Sequence, residues 1–478
     1  MSEFLQATTY IRMKKFLLAL LSFYGCQEAP PEESKSHLPN IVVIYVDDLG
    51  YSDVGCYGAL GVETPHIDQL ANDGLLLSDA HCAAATCTPS RYSLLTGSYA
   101  FRNQARVMDG DEPMLIAENV KTLPAMLQEK GYKTAVVGKW HLGLGDGNVN
   151  WNDSIKPGPL ERGFDYSYII PATGDRVPCV WVENHYVVGL DKTDPIQIDY
   201  RNKIGNSPTG EENPDLLRYG ADPQHSNTII NGISRIGYMA GGYSARWKDE
   251  SFPYLMLKKS REFIEANEGQ PFFLYFSFHD IHVPRMPDYR FIGESELGLR
   301  GDAIVQMDWT TGQLIQMLEE KGLMQNTLVI FSSDNGPVLD DGYADEAVEK
   351  INGHNPSGPF RGGKYSAFEA GTRVPTIVYW PGKVAPGRSA ALLSQVDLFA
   401  SIASLVDYEL MDSDAPDSQD HLHAWLGDST KGRTVMLEES FTLGLRTKDW
   451  KYIHPVEDIN TASWIEQDKN IESGRDTL

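Results

Sequence analysis

The segment Cys87-Thr88-Pro89-Ser90-Arg91 contains residue types that could perform nucleophilic chemistry. Pro89 suits the first position of a helix and Thr88 suits its cap, so we expect Cys87 to lie at a helix N-terminus. The free N–H groups of such a terminus favour an anion, which makes Cys87 a candidate reactive cysteine. The alternative is a buried structural cysteine ahead of an ordinary helix.

Oxygen-bearing side chains occur in two adjacent pairs, Asp47-Asp48 and Asp334-Asn335. Hard oxygen ligands select calcium or magnesium, and the chain has no CxxC spacing suited to zinc. Asp47-Asp48 directly follow the apolar run 41–46, where a buried carboxylate pair requires a compensating cation. For either pair taken alone, a solvated turn is the alternative.

Polar side chains follow four short apolar runs that we predict to be strands. Asp47-Asp48 follow the first run, Lys139 and His141 the second, His279 and His282 the third, and Asp334-Asn335 the fourth. Because ligands bind beyond the carboxyl ends of strands in open α/β sheets, we expect these clusters to converge on one site. An ordinary strand-to-loop transition could explain one cluster, but it explains four of matching chemistry poorly.

The elements that must position these residues follow from hydrophobic patterning. Apolar runs without polar alternation, typical of strands covered on both faces, lie at 41–46, 134–137, 272–278, 327–331 and 375–380. Helical patterns lie at 122–130, 302–321 and 394–406. The sequence therefore predicts an α/β fold with a large, mainly parallel central sheet sandwiched by helices.

The end of the chain has a different pattern. Loop-like sequence after residue 410 is followed by strand patterns at 434–437 and 443–453, which indicates a smaller C-terminal subdomain containing an antiparallel sheet. We divide the chain into an N-terminal segment (1–38), a main domain (39–410) and this subdomain (411–478). The chain ends on polar residues without a closing element, so we expect the subdomain to be clipped or incomplete.

The N-terminal segment has the order of a signal peptide. Met13-Lys14-Lys15 precede the apolar run 16–24, which is followed by Gly25-Cys26 and a polar tether. The apolar run is too short to be a transmembrane anchor. Cys26 resembles the lipid-modified cysteine of bacterial lipoproteins. We expect an exported protein, either a periplasmic or outer-membrane lipoprotein with membrane attachment through lipid on Cys26, or a secreted one.

The charge balance restricts the partners. With 41 Lys and Arg against 66 Asp and Glu, the formal net charge is −25, which argues against a nucleic-acid partner because phosphate neutralisation needs a basic surface. An anionic substrate must therefore meet a local basic pocket. Cys56, Cys82 and Cys179 are expected to pack as small apolar residues.

Five motifs in order resemble the type I, formylglycine-dependent sulfatase family of the alkaline phosphatase superfamily, over residues 39–453. The motifs are Asn40 to Asp48 with Gly50, Cys87-x-Pro89-x-Arg91 with Leu94-Leu95-Thr96-Gly97, Gly138-Lys139-Trp140-His141-Leu142-Gly143, Ser333-Asp334-Asn335-Gly336, and Arg361-Gly362-Gly363-Lys364. Two small departures, Ser98 and Ala370, lie outside the positions that the family uses in catalysis.

The resemblance implies that a separate maturation enzyme oxidises Cys87 to formylglycine. It also implies one Ca²⁺, with the formylglycine at position 87 completing a ligand set made by Asp47, Asp48, Asp334 and Asn335. In the family, one oxygen of the hydrated aldehyde attacks sulfur and forms a covalent sulfo-enzyme, and deprotonation of the second oxygen expels sulfate.

Roles for the remaining motif residues follow from the same resemblance. His141 is implied to be the base of the release step. Arg91 and Lys139 would hold the diol, whereas His282 and Lys364 would bind sulfate oxygens and protonate the leaving alcohol.

The substrate is expected to be a sulfated saccharide. Residues 158–250 are predicted to form an insertion that lines the pocket, with candidate contacts at Arg176, His185, Arg235 and Arg246. Two alternatives stay open at this point. One is a phosphodiesterase or phosphonate monoester hydrolase of the same superfamily, and the other is a non-catalytic glycan-binding protein.

Overall fold

The computed structural model describes residues 38–455. The predicted signal segment with Cys26, and the last residues of the predicted subdomain, lie outside this range. No helix within the described range is long and apolar enough to cross a membrane.

The strands of the described range belong to one large sheet and four small ones. In chain order they are β1 (Asn40–Val46), β2 (Leu75–Leu77), β3 (Ala80–His81), β4 (Lys133–Lys139), β5 (Tyr166–Ile170), β6 (Val182–Glu183), β7 (Tyr186–Val187), β8 (Gln197–Asp199), β9 (Ile229–Ile230), β10 (Ile233–Ser234), β11 (Tyr238–Ala240), β12 (Phe272–Ser277), β13 (Thr327–Ser333), β14 (Thr376–Tyr379), β15 (Gly387–Ser389), β16 (Leu393–Ser394), β17 (Val435–Glu439), β18 (Leu443–Thr447) and β19 (Lys451–Ile453).

The large sheet has the order β15-β2-β14-β13-β1-β12-β4-β5-β6-β7. Its five central strands, from β13 to β5, are parallel. Every residue of β1, β12 and β13 is buried, because helices cover both faces of the sheet. The predicted α/β class with a mainly parallel sheet is confirmed.

Two strands differ from the expectation. β5 is the fifth parallel strand, so the central sheet extends into the range 158–250 that we had treated wholly as an insertion. β14 matches the predicted run at 375–380 but lies antiparallel to β13. An apolar run reveals that a strand is buried, but it does not reveal the strand's direction.

The described range has eight α-helices, and three of them lie near the predicted patterns at 122–130, 302–321 and 394–406. The eight helices are α1 (Pro65–Asp73), α2 (Cys87–Thr96), α3 (Leu123–Glu129), α4 (Phe252–Ala266), α5 (Gly298–Glu320), α6 (Glu369–Thr372), α7 (Leu398–Leu405) and α8 (Leu422–Trp425). The Thr122 side chain caps α3 by accepting a hydrogen bond from the Ala125 N–H at 3.3 Å. α7 begins later than predicted, because Leu393–Ser394 pair as strand β16.

A small antiparallel sheet near the C-terminus consists of β17, β18 and β19. This confirms the antiparallel sheet predicted for the end of the chain, whereas the domain boundary at residue 410 stays a prediction.

The parallel register brings the ends of four strands together. Val46 lies opposite Ser333, Tyr45 opposite Ser277, and Ser277 opposite Gly138. The residues that follow β1, β4, β12 and β13 therefore emerge side by side at one edge of the sheet.

Candidate active site

A cluster of oxygen-bearing side chains follows β1 and β13. Asp47, Asp48, Asp334 and Asn335 are each at most 1% exposed. The Asp48 N–H donates to Asp334 Oδ1 at 3.2 Å, and Asn335 Nδ2 donates to Asp48 Oδ1 at 2.7 Å. The structure thus brings together the four residues that the sequence predicted as metal ligands.

Two oxygens of this cluster have no hydrogen-bond donor in the described residues. Asp47 Oδ1 and Asn335 Oδ1 are buried and accept no hydrogen bond from any residue in the range 38–455. Burial and the nearby Asp334 carboxylate raise the pKa of Asp47 well above its usual range, so its ionised form lacks sufficient compensating charge. Buried, unpartnered oxygens of carboxylate and amide type fit a hard divalent cation.

One nitrogen also approaches the cluster. His282 Nε2 lies 3.8 Å from Asp48 Oδ2. One ligand atom from each of Asp47, Asp48 and His282 lies within 4.8 Å of the other two.

Basic side chains pair with the three carboxylates. Arg91 Nε and Nη2 both donate to Asp334 Oδ2, at 2.9 and 2.7 Å. Lys139 Nζ donates to Asp47 Oδ2 at 2.5 Å, and Lys364 Nζ donates to Asp48 Oδ2 at 2.9 Å. The centre therefore alternates positive and negative groups, which suits simultaneous binding of a cation and an oxyanion.

Cys87 is the first residue of α2 and is 1% exposed. The predicted cap at Thr88 is wrong, because the helix begins at Cys87 and the Thr88 hydroxyl donates to the His141 carbonyl at 2.9 Å. Pro89 is tolerated in this first turn, where no N–H needs a helical partner. Burial raises the pKa of the Cys87 thiol although Lys139 and Lys364 oppose the change. An unmodified Cys87 is therefore a poor nucleophile.

His141 has one bound and one free ring nitrogen. Its Nε2 lies 2.9 Å from the Met108 carbonyl oxygen, whereas its buried Nδ1 has no hydrogen-bond partner in the described part of the chain. Burial, with Lys139 and Arg176 nearby, holds the pKa of His141 well below its usual range. The ring is therefore neutral, with Nδ1 able to accept a proton.

His279 and His282 lie on the segment that follows β12. His282 Nδ1 contacts the Val283 carbonyl at 2.6 Å, which leaves its Nε2 directed toward Asp48. His279 packs closely against the Gly174 backbone. Burial and Lys139 lower the pKa of His279 to about 4.

The four candidate substrate contacts have different environments. Arg176 Nη1 donates to the Met108 carbonyl at 2.9 Å, which places it beside His141. Arg235 is fully buried and bound by Asp249. His185 contacts Glu161 at 2.9 Å, and Arg246 donates to the Gly241 carbonyl. Of these four residues, only Arg176 contacts the Met108 carbonyl oxygen, which also contacts His141.

Three polar residues near the centre had no sequence signal. Asp341 binds Lys364 Nζ at 2.8 Å on the side opposite Asp48. Asp175 binds the Arg176 guanidinium through both carboxylate oxygens and lies 3.6 Å from the imidazole of His225. Each stands in a turn segment without a motif, so only its spatial contacts reveal it.

A second group with metal-ligand chemistry is Asp79, His81 and Glu369. Protein cations already surround it, since Arg446 contacts both Asp79 and Glu369 and Arg373 contacts Asp79 at 3.2 Å. This group is an ion-pair network.

The mixed sheet, the oxygen cluster and the buried cysteine beside it define an α/β protein whose polar centre suits a cation together with an anionic group. A sequence model of the Sulfatase family matches residues 39–408. The chain belongs to this family and is a sulfuric ester hydrolase, which confirms the resemblance found in its motifs. The phosphodiesterase and the non-catalytic binder are thereby set aside.

Individual relatives support this assignment. The chain is 49% identical to an N-acetylgalactosamine-6-O-sulfatase of Bacteroides thetaiotaomicron, over 94% of this chain and 89% of the relative. It is 31% identical to human arylsulfatase D, over 80% of this chain and 67% of the relative. A solved structure from work on glycosaminoglycan metabolism by B. thetaiotaomicron has a TM-score of 0.88 at 50% identity and covers 90% of both chains.

Proposed function

We propose that this sulfatase removes the 6-O-sulfate of N-acetylgalactosamine in a sulfated glycan. The observation that carries the proposal is the 49% identity over nearly the whole length of a relative named for that activity. The buried alternation of carboxylates and basic groups supports the chemistry, because it suits an anionic sulfate ester in a site shielded from water.

We further propose that Asp47, Asp48, Asp334 and Asn335 hold one Ca²⁺, and that a maturation enzyme converts Cys87 to formylglycine. The two unpartnered oxygens of the cluster support the cation. The raised pKa of the Cys87 thiol supports the modification, since an unmodified thiol would stay protonated. When present, the cation would stabilise negative charge and the hydrated aldehyde would supply an oxygen nucleophile.

The basic residues would bind and orient the sulfate. Lys364 keeps its proton, since the effects of Asp341 and Asp48 exceed that of burial and raise the pKa of its ammonium well above the usual range. Lys364 and His282 face the same oxygen, Asp48 Oδ2, from 2.9 and 3.8 Å. We assign both to the sulfate ester and its leaving oxygen. Lys139 is paired with the other carboxylate of the adjacent pair, Asp47.

His141 would act as the base. Its Nδ1 is a buried, unprotonated nitrogen close to the N-terminal turn of α2, because the His141 carbonyl binds the Thr88 hydroxyl. Arg91 would hold Asp334 in position and lower the charge of the carboxylate cluster.

The sugar ring would lie against Arg176 and its neighbours. Arg176 is clamped by Asp175, and Asp175 also approaches His225. Such a fixed set of hydrogen-bond donors and acceptors is suited to binding the hydroxyl groups of a hexose. Arg235, His185 and Arg246, also predicted as contacts, have protein partners as Arg176 does, but only Arg176 shares its acceptor, the Met108 carbonyl, with His141, so we rank the other three below it.

Hydrolysis assays with defined substrates test this function. Purified protein, co-expressed with a formylglycine-generating enzyme, is expected to release sulfate from N-acetylgalactosamine-6-sulfate and to lose this activity in Cys87→Ala. Peptide mass spectrometry across position 87 checks the modification. Preference for the 4-sulfate or for an aryl phosphodiester would refute the proposed substrate, and an unmodified Cys87 in active protein would refute the formylglycine.

We also propose that the chain is exported and carries lipid on Cys26, as its N-terminal sequence order suggests. Metabolic labelling with a fatty-acid analogue in a bacterial host should label the wild type and not Cys26→Ala. Equal labelling of the two proteins would contradict lipid attachment, and retention of both in the cytoplasm would contradict export.

A further inference from the structure

A cleft of about 680 Å³ is formed by parts of the segments 218–254 and 285–299. We call it the Tyr289 cleft, and the residues used below are Arg218, Lys248, Tyr254, Met286, Tyr289 and Ile292. None of them belongs to the catalytic site described above. The cleft therefore needs an explanation of its own.

The Tyr289 cleft opens at the same edge of the sheet as the catalytic centre. α4 leads into β12, and a helix between parallel strands runs antiparallel to them, so α4 begins where β12 ends. Tyr254 lies in the first turn of α4, and Met286 follows His282 by four residues. A chain molecule with one end in the catalytic centre could thus reach the cleft along this edge.

Aromatic and aliphatic groups are exposed in the cleft. The Tyr289 side chain is 82% exposed and that of Ile292 is 51% exposed. Tyr254 forms a further wall, with the Arg290 guanidinium 5.1 Å from its ring centroid. Exposed rings grouped in a concave surface are typical of ligand contacts, and the C–H face of a sugar packs well on such rings.

The cleft has one basic side chain without an ion pair in the described residues. Its lining has three basic residues and two acidic ones, and the buried Arg285 is paired with Asp345 at 2.7 Å. Glu250 is paired with Arg218 at 2.5 Å, and Asp288 accepts the backbone N–H of Arg290 at 3.1 Å. The Lys248 side chain is exposed and has no ion pair within residues 38–455. The cleft thus offers one uncommitted positive charge next to stacking surfaces.

We infer that the Tyr289 cleft binds a distal part of an anionic saccharide chain whose sulfated end lies in the catalytic centre. This inference rests on the proposed function. Tyr289 and Tyr254 would stack on sugar rings, and Lys248, with Arg218 beside it, would pair with a sulfate or uronate group. The cleft would then favour longer substrates over a sulfated monosaccharide.

The test compares substrates of different length in the double variant Tyr289→Ala/Lys248→Ala. The control is Trp450→Ala/Lys431→Ala, which also removes an exposed aromatic ring and an exposed lysine, both outside the cleft. For a 6-sulfated chondroitin hexasaccharide we expect kcat/KM of the cleft variant to fall about tenfold, the combined effect of a stacked ring and an exposed ion pair. For the sulfated monosaccharide, kcat/KM should stay within about twofold of wild type.

Equal losses on both substrates, no loss on the hexasaccharide, or the same loss in the control variant would overturn the inference. Calorimetric binding of the hexasaccharide to Cys87→Ala protein, with and without the cleft substitutions, gives a readout that needs no turnover. If the wild type hydrolyses neither substrate but the cleft substitutions still weaken binding, the proposed function fails and the cleft assignment stands. If turnover occurs and binding is unchanged, only the cleft assignment fails.

Discussion

The ammonium of Lys364 is held between two carboxylates, Asp48 at 2.9 Å and Asp341 at 2.8 Å. Asp48 belongs to the proposed metal cluster, so its charge would be shared with a cation. Asp341 would then be the group that orients Lys364 toward the proposed sulfate position. Its carboxylate also contacts the Tyr365 hydroxyl at 3.2 Å.

Replacing Asp341 by Asn should therefore lower kcat/KM for the sulfate ester by about 10- to 100-fold, the usual effect of removing a partner that orients a site residue. Asp340→Asn is the control, because Asp340 is exposed and Asn retains the oxygen that accepts the Gly342 N–H. Steady-state kinetics of both variants decide the matter. Unchanged kinetics in Asp341→Asn would show that Lys364 needs no second carboxylate.

Sequence motifs revealed the residues that converge at the strand ends, because each motif is local and directly follows a strand. They did not reveal Asp341, Asp175 or His225. Asp341 pairs with Lys364 and Asp175 approaches His225, and each of these contacts joins two separate segments of the chain, which no short sequence pattern predicts. The same limit explains Arg235, whose buried partner Asp249 could not be seen from spacing.

At the scale of elements, β4 and β12 pack closely at Gly138. This glycine has φ +111°, and a Cβ there would lie 1.9 Å from the Ser277 carbonyl oxygen. No side chain fits without separating the two strands that carry Lys139 and the histidine segment.

Gly138→Ala should therefore destabilise the protein by about 3 kcal/mol or more. Gly131→Ala is the matched control, since Gly131 also has a positive φ, +86°, but a Cβ there meets nothing within 4 Å. The Gly131→Ala substitution should lower the free energy of unfolding by only about 1 kcal/mol. Thermal unfolding of both variants measures the difference, and equal Tm values would contradict the close packing.

His81 of β3 ties the C-terminal sheet to the segment that follows β2. Its ring nitrogens contact Asp79 at 3.0 Å and Glu438 of β17 at 2.8 Å. Burial lowers the pKa of His81, but Glu438 and Asp79 outweigh burial and raise it above the usual 6.5. The charged form is thus favoured by folding, and its contribution is complete below pH 6.5 and is lost as the pH rises through the raised value.

His81→Gln should consequently lower Tm most at pH 6, and the difference from wild type should shrink as the pH is raised. Differential scanning calorimetry across this range gives the result. A difference that grows with pH would mean that neutral His81 stabilises the sheet. His423→Gln is the control, because that imidazole is 80% exposed and should leave Tm unchanged.

The order of the large sheet was only partly predictable. Continuous apolar runs predicted β1, β12 and β13, because a strand buried on both faces has apolar residues at consecutive positions. The sequence Tyr-Ser-Tyr-Ile-Ile of β5 did not stand out between polar segments. The direction of β14 depends on the connection from β13, which periodicity does not encode.

At the scale of the whole molecule, the proposed Ca²⁺ should stabilise the fold, because a ligand that binds only the folded state adds about 2.7 kcal/mol at a hundredfold excess over Kd. Adding Ca²⁺ to chelator-treated protein should raise Tm by several degrees. Asn335→Ala should reduce this response, since it removes one of the two unpartnered oxygens. An unchanged Tm on adding Ca²⁺ to the wild type would argue against the cation.

The Met108 carbonyl oxygen contacts two residues for which we propose different roles. His141 Nε2 and Arg176 Nη1 each lie 2.9 Å from it. Because the shared acceptor is a main-chain atom, no side-chain exchange at position 108 deletes it. If Arg176 and His141 have the roles proposed above, directed evolution that changes the sugar preference through Arg176 would also change the environment of the His141 base. Libraries for a new specificity should therefore vary the loop around residue 108 together with Arg176.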